Sequence, residues 1–285
     1  IKFDMKPAKW LEFNYIHARL ASDVLDSART YLYSGSGVRK VMRDKYLVAN
    51  MFTFTPWKFF NVSFGNSLVY SDQGIQLQYL IPFMFYKSVD DTYNGTDNQA
   101  GQNAQMFASI SSRNIKFIHL YATAFVDEFS IRRMNDPDRQ SNFVSVKAGI
   151  HGSNLFKSNL FFTAEFTRTN PLVYQHFIPA TTFQTNQYCM GHYLKDNAQE
   201  LFIAINYKPI SKMNIGINYT NIKKGTPYIY GLVDPWGLPF METVVWEATR
   251  VSGTLSYELL SKIFIQGEAM VYFNKGNATL YNPYY

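Results

Sequence analysis

Alternation of apolar and polar residues with a period of two dominates the chain, the signature of half-buried β-strands. In 59–70, Phe60, Val62, Phe64, Leu68 and Tyr70 share one face. Asn61, Ser63, Gly65 and Ser67 take the other, and Asn66 falls on the apolar side. In 142–151, Val144, Val146, Ala148 and Ile150 alternate with Ser145, Lys147, Gly149 and His151. The same rhythm places together Leu201, Ile203, Ile205 and Tyr207, then Ile215, Ile217 and Tyr219, then Ile263, Ile265, Ala269, Val271 and Phe273. The polar face is small or hydrogen-bonding; the apolar face is aliphatic with aromatics near strand ends. A soluble sandwich would carry more Lys, Glu and Thr on its polar face. Aromatics at strand ends match the interfacial girdles of outer-membrane barrels.

The pattern predicts eleven strands, over 8–20, 42–55, 58–70, 104–112, 115–128, 142–152, 159–168, 199–208, 213–223, 243–257 and 262–273. Most are near the roughly 9–11 residues that a tilted strand needs to cross hydrocarbon. Short turns at 55–58, 112–116, 208–212 and 258–262, and a slightly longer one at 152–159, alternate with long polar connections. The latter cover about 21–41, 71–104, 128–141, 169–199 and 223–241. Tight periplasmic turns alternating with long external loops mark an up-and-down barrel, and a compact soluble domain rarely carries five such loops. The run Gln76 to Lys87 reads as a loop-borne or plug-like segment rather than a further strand, and 88–105 reads as an exposed loop. The fold class expected is all-β, a transmembrane antiparallel up-and-down β-barrel with about 11–12 strands in this chain. Single-chain bacterial barrels use even counts, and an open edge in lipid costs several kcal/mol per unpaired backbone group. Residues 1–285 are therefore expected to form one outer-membrane β-barrel domain, the C-terminal portion of a larger barrel, with Tyr285 in a loop before a further strand.

Composition narrows the class. Aromatic and charged residues are each 17% of the 285 residues, and the mean hydropathy is −0.19. Few charges argue against disorder. No stretch approaches the roughly 18 apolar residues of a spanning helix. The net charge is +6, but the basic residues are scattered, several of them in short turns, so nucleic acid is not an expected partner. One cysteine, Cys189, excludes an intrachain disulfide and a cysteine metal cluster.

No catalytic constellation emerges. Gly35-Ser36-Gly37-Val38-Arg39-Lys40 lacks phosphate-loop spacing. His17, His119, His151, His176 and His192 show no zinc-protease spacing, although His119 and His151 fall within strands, and no nucleophile elbow occurs. Cys189 lies near His192 with nothing to fix the geometry of a nucleophile. Glu165 and Glu268 lie on expected lumenal faces. Asp90, Asp91, Asn94 and Asp97 form an oxygen-rich candidate calcium cluster, but its spacing departs from an EF-hand, with Thr92 at the third position and Gly101 where the bidentate Glu belongs. No cofactor is expected. Aromatic and polar residues concentrate in the loops at Tyr174, His176, His192 and Tyr193, and at Trp236 within Asp234-Pro235-Trp236-Gly237. Sugars stack their apolar faces on aromatic rings while amides, carboxylates and imidazoles serve their hydroxyls. These loops are therefore candidate sugar contacts.

At these motifs the chain resembles the Wzi-type capsule-assembly family as found in Bacteroidota, including RemB-like relatives named for gliding motility. The resemblance is carried by Phe-Gly-Asn-Ser-Leu-Val-Tyr-Ser-Asp at 64–72, Ala-Gly-Gln-Asn-Ala-Gln-Met-Phe at 100–107 and Ser-Arg-Asn-Ile-Lys at 112–116. Asn-Pro-Leu-Val-Tyr-Gln-His-Phe at 170–177 and Gly-His-Tyr-Leu-Lys-Asp-Asn-Ala-Gln-Glu-Leu at 191–201 follow. It implies a cell-outer-membrane barrel of about 18 strands, not an enzyme, that anchors or assembles exopolysaccharide or capsule. The matched motif positions are Tyr174, His176, Gly191, His192 and Asn197. With Trp236, four of them (Tyr174, His176, His192 and Asn197) are taken as ligand-binding sugar contacts. Expected partners are surface polysaccharide, outer-membrane lipid and lipopolysaccharide, and other outer-membrane proteins. The alternative is an accessory or pore subunit of a gliding-motility or secretion complex.

Overall fold

The structure is a computed structural model that describes residues 1–277 except 34–36, 73, 95–100, 129–134, 137, 140–142 and 156–157. Twelve strands form one antiparallel sheet in chain order: β1 (Lys2–Ala8), β2 (Leu11–Leu20), β3 (Lys45–Trp57), β4 (Phe60–Ser71), β5 (Asn103–Ser112), β6 (Ile118–Glu128), β7 (Phe143–Leu155), β8 (Leu160–Thr169), β9 (Ala198–Ile210), β10 (Met213–Gly225), β11 (Val244–Leu260) and β12 (Ile263–Gly276). The expected 8–20 strand corresponds to β2, and β1, over Lys2–Ala8, is an additional strand that precedes it across the turn at Lys9-Trp10. β1 also alternates, with Lys2, Asp4 and Lys6 on one side and Phe3 and Met5 on the other. It is too short for the period to stand out in the sequence. Short hairpin turns place Phe59, Phe117 and Lys262 in the left-handed region, at φ of 66°, 67° and 66°. Such turns reverse the chain in the fewest residues.

Register converts the alternation into two faces. Ile110, Leu120, Val146, Phe166, Leu201, Ile205, Ile217, Val251, Leu255 and Val271 share one face and are exposed. Ser63, Ser67, Gln105, Ser145, Thr167, Thr220 and Ser252 share the other and are buried. A water-soluble protein would reverse this arrangement. The apolar belt ends at a row of register partners, Arg168, Gln199, Lys223, Glu247 and Lys275, that joins five strands. At the short-turn end Trp57 stacks on Phe60 with centroids 4.4 Å apart, and Trp10 stacks on Phe54 at 6.0 Å.

The sheet is curved around its polar face. Lys45 of β3 donates to the Thr182 carbonyl at 2.7 Å. Phe183 N–H donates to Tyr174 O at 3.0 Å, Leu172 N–H to Asp196 at 2.9 Å, and Asp196 pairs with Lys224 of β10. One compact knot of loop thus touches β3 and β10, which a flat sheet would hold about 34 Å apart at ~4.8 Å per strand. The architecture is an up-and-down β-barrel whose edge strands, β1 and β12, are not paired with each other. Interior close packing includes a ring over a glycine. A Cβ on Gly149 would stand 2.4 Å from the Tyr121 ring, whose hydroxyl donates to Glu165 at 2.6 Å.

The segment after β4 is carried outside the sheet, as expected from the sequence, but not in the lumen. It is not a strand, and it does not plug the lumen. A 3₁₀ turn (Leu77–Leu80) and helix α1 (Tyr86–Asn94) pack on the outward face of β2 to β4, against Phe13, Tyr15, Val48, Leu68 and Tyr70. The stretch expected as an exposed loop, 88–105, thus contains most of α1 and the buried Gln102, Asn103 and Gln105.

Candidate functional site

Residues 170–197 fold into the long-loop end of the barrel and fill its mouth. Leu172, Val173 and Tyr174 form an apolar knot with Phe143, joined by Phe125, Phe183, Tyr228 and Tyr230. Leu172 and Tyr174 have left-handed backbones, at φ of 61° and 73°. That costs roughly 1–2 kcal/mol per residue and persists where surroundings over-determine the shape. Here the Tyr174 N–H donates to Asp127 at 2.8 Å. Gly191 lies under the Tyr174 ring, where a Cβ would stand 2.2 Å from it.

Polar contacts tie this plug to the wall. Asp196 accepts from Leu172 N–H and from Gln175, both at 2.9 Å. The Lys224 ammonium lies 3.3 Å from its carboxylate and also donates to the carbonyls of Leu194 and Asp196. Asn103 donates to the Thr181 carbonyl at 3.1 Å. From the neighbouring loop, Ala21 O accepts from Asn186 N–H at 2.8 Å.

The plug borders several cavities among the described residues, two of them lined by sequence-predicted site residues. The outer one, about 320 Å³, lies among the loops and is lined by Asp23, Gln175, His176, Gln184, Lys195, Tyr228 and Tyr230. The inner one, about 430 Å³, lies beneath the plug against Ser63, Ser109, Thr123, Lys147, Thr167 and His192. Lys147 sits 3.6 Å from Glu165, which faces the lumen as expected.

The sequence-predicted residues separate. Tyr174 and His176 line the outer cavity, although Tyr174 is buried. His192 lines the inner one and approaches Glu200 at 3.5 Å. Asn197 is 0% exposed; its side chain donates to Thr226 O at 2.8 Å and accepts from Met241 N–H at 3.0 Å. It is a clamp between loops, out of reach of a sugar. Trp236 is 36% exposed and lines neither cavity. Asp90 is buried and accepts from Tyr79 at 3.2 Å. Asp91 and Asn94 lie on α1, and Asp97 lies outside the described residues. Among the described residues, no group of three or more His, Cys, Asp or Glu side chains is placed to hold a metal ion. Asp23, Gln184, Lys195, Tyr228 and Tyr230 were not singled out in the sequence. They come from three separate connections, and no spacing links them.

Burial sets the electrostatics. It pushes the His176 and His192 imidazoles down to about 4, with Lys147 adding to the effect at His192. It pushes the Cys189 thiol up to about 11, away from the thiolate a nucleophile needs. Ile178 N–H donates to His176 Nδ1 at 3.3 Å, so the neutral ring carries its proton on Nε2. Both histidines are neutral in the folded plug. An unfolded loop takes up protons near pH 6.5, whereas the folded one resists until about pH 4. Plug stability is therefore full above about pH 6.5 and falls as the pH drops toward 4. Modification of Cys189 by a dithiopyridine reagent should accelerate over that window; a flat rate would refute it.

Comparison with known proteins bears on the fold. No family model matches the chain, and no curated protein sequence matches it. Among solved structures it is similar to Wzi, an outer-membrane protein involved in group 1 capsule assembly in Escherichia coli and a carbohydrate-binding β-barrel. The TM-score is 0.59 at 8% sequence identity, over 96% of this chain and 56% of that one. The chain thus spans little more than half the length of that protein, and what it shares with Wzi is the β-barrel fold.

Proposed function

We propose that this chain belongs to a non-enzymatic outer-membrane β-barrel that binds surface polysaccharide at its long-loop end and serves attachment or assembly of capsule or exopolysaccharide. The carrying observation is the outer cavity. The Tyr228 and Tyr230 rings stand there beside the carboxylate of Asp23, the amides of Gln175 and Gln184, the neutral His176 and the ammonium of Lys195. Rings take the C–H face of a sugar, and the polar groups take its hydroxyls. The outward apolar belt supports the membrane location, with acyl chains and lipopolysaccharide as its surroundings. Carbohydrate binding by the Wzi barrel supports the ligand class. No observation favours the gliding-motility alternative.

Glycan-array binding by the full-length protein tests this. Asp23→Ala and Lys195→Ala each remove a charged partner, and each should weaken binding roughly 10-fold or more. Trp236→Ala, outside the cavity, should change it least. Absence of glycan binding by the parent protein, or parent-like binding by both cavity variants, would reject the assignment.

A further inference from the structure

Two asparagines break the apolar outer face of the barrel. Asn66 lies six residues from the short-turn end of β4, the same distance as Phe166 in β8 and Tyr219 in β10, and Asn50 pairs with it from β3. Both therefore stand at the height of the apolar belt, where an amide without partners is costly. The segment after β4 supplies the partners. Asn50 Nδ2 donates to the carbonyls of Pro82 at 2.9 Å and Met84 at 2.7 Å. Asn66 Nδ2 donates to Asn50 Oδ1 at 2.7 Å, and its Oδ1 accepts from Tyr86 N–H at 2.9 Å. The lowest point of this flap is its most apolar stretch, Leu80-Ile81-Pro82-Phe83-Met84-Phe85. Polar α1 follows, leading back toward the long-loop rim. Phe83 and Phe85 remain 53% and 46% exposed although Asn50 and Asn66 beside them are buried. A flap anchored at belt height with its apolar side chains outward lies in the bilayer.

Beside the flap runs a groove of about 380 Å³. Phe83, Met84 and Phe85 form one wall; Phe64, Met106 and Val126 line it, with Ala108 and Ala124 as its small-residue floor. It opens onto the apolar belt at Ile110 and Leu120, which continue the outward rows of β5 and β6. At the rim above β2 and β3, the side chains of Arg19, Arg29 and Arg43 are partly exposed while paired with Asp44, Asp26 or Asp72. The long-loop end faces the outer leaflet, and arginines there match lipid phosphates. We propose that this groove holds an acyl chain of an outer-leaflet lipopolysaccharide, with the flap as its membrane-embedded side wall. The proposal rests on the outer-membrane reading and adds a specific lipid site to it.

The test is extraction and mass analysis of lipid retained by the full-length protein after purification from outer membranes in mild detergent. The parent should retain lipid A-bearing lipid. Ala124→Phe, which fills the groove floor from a side already facing lipid, should lose it, and so should Ala108→Phe. Loss in neither variant, retention of phospholipid instead, or no retained lipid in the parent would overturn the proposal. A bimane label on Ile217→Cys, in a Cys189→Ala background, separates the two readings through quenching by brominated lipids in proteoliposomes. Quenching there without a retained lipid sinks the groove and spares the membrane barrel. No quenching there sinks both.

Discussion

Lys224→Met is expected to release the plug from the barrel wall at a cost of about 3–5 kcal/mol, the range for removing one partner of a buried ion pair. Lys224 and Asp196 are both buried. The ammonium also holds the Leu194 and Asp196 carbonyls, while the carboxylate holds Leu172 N–H and Gln175. Removing the cation leaves a charged carboxylate and two carbonyls without their donor. Cys189, in the same plug, reports the result. Its modification at neutral pH should accelerate strongly in Lys224→Met, while the barrel keeps its heat-modifiable mobility on gels. An unchanged modification rate would mean that the apolar knot around Tyr174 holds the plug by itself. The double variant Lys224→Met, Asp196→Asn should recover much of the loss, because it removes both charges together while the amide oxygen can still accept from Leu172 N–H and Gln175.

The second large effect is expected on the outer wall. Asn50→Leu combined with Asn66→Leu leaves Met84 O and Tyr86 N–H without donor or acceptor, and leaves Pro82 O only the long contact from the Tyr86 hydroxyl at 3.4 Å. Each such group costs about 1–3 kcal/mol, and hydrocarbon supplies no replacement. The flap should lift, and trypsin should then cut at Lys87, on the first turn of α1. Resistance equal to that of the parent would show that the contacts of Tyr79 and Tyr86 with the wall suffice. The substitution makes the wall more apolar in sequence, so a hydropathy argument alone predicts stabilisation. The two arguments thus give opposite signs.

Both predictions follow from one division of labour. The inward face carries small and hydroxylated residues that leave room for a loop to enter, and the outward face carries aliphatics that leave no polar partner except where a flap covers them. The plug therefore depends on ionic and amide ties. The flap depends on two side chains that look like errors in an apolar row.

 Eleven strands were expected and twelve are found, the difference being β1, Lys2–Ala8, ahead of the expected first strand. Strand positions, faces and the alternation of short turns with long loops were legible because each depends on neighbours one or two residues away. A side chain's face is fixed by its parity once the chain is extended. The outliers were visible too: Asn66 stood on the wrong side of its row in the sequence itself.

The sites were not legible in the same way. Tyr174, Gly191 and Asn197 stand out as a motif, yet they pack, cradle and clamp the plug. The outer cavity draws Asp23, His176 and Tyr230 from three loops far apart in the chain. The segment at 76–94 goes outside the wall because Asn50 and Asn66 offer it partners there, a pairing between strands and loop that no local period encodes. The sequence by itself determined an extended, two-faced ribbon with its oily and wet sides assigned. The tertiary structure alone decided what each long loop covers, because loop placement depends on which distant backbone groups would otherwise be left without hydrogen bonds.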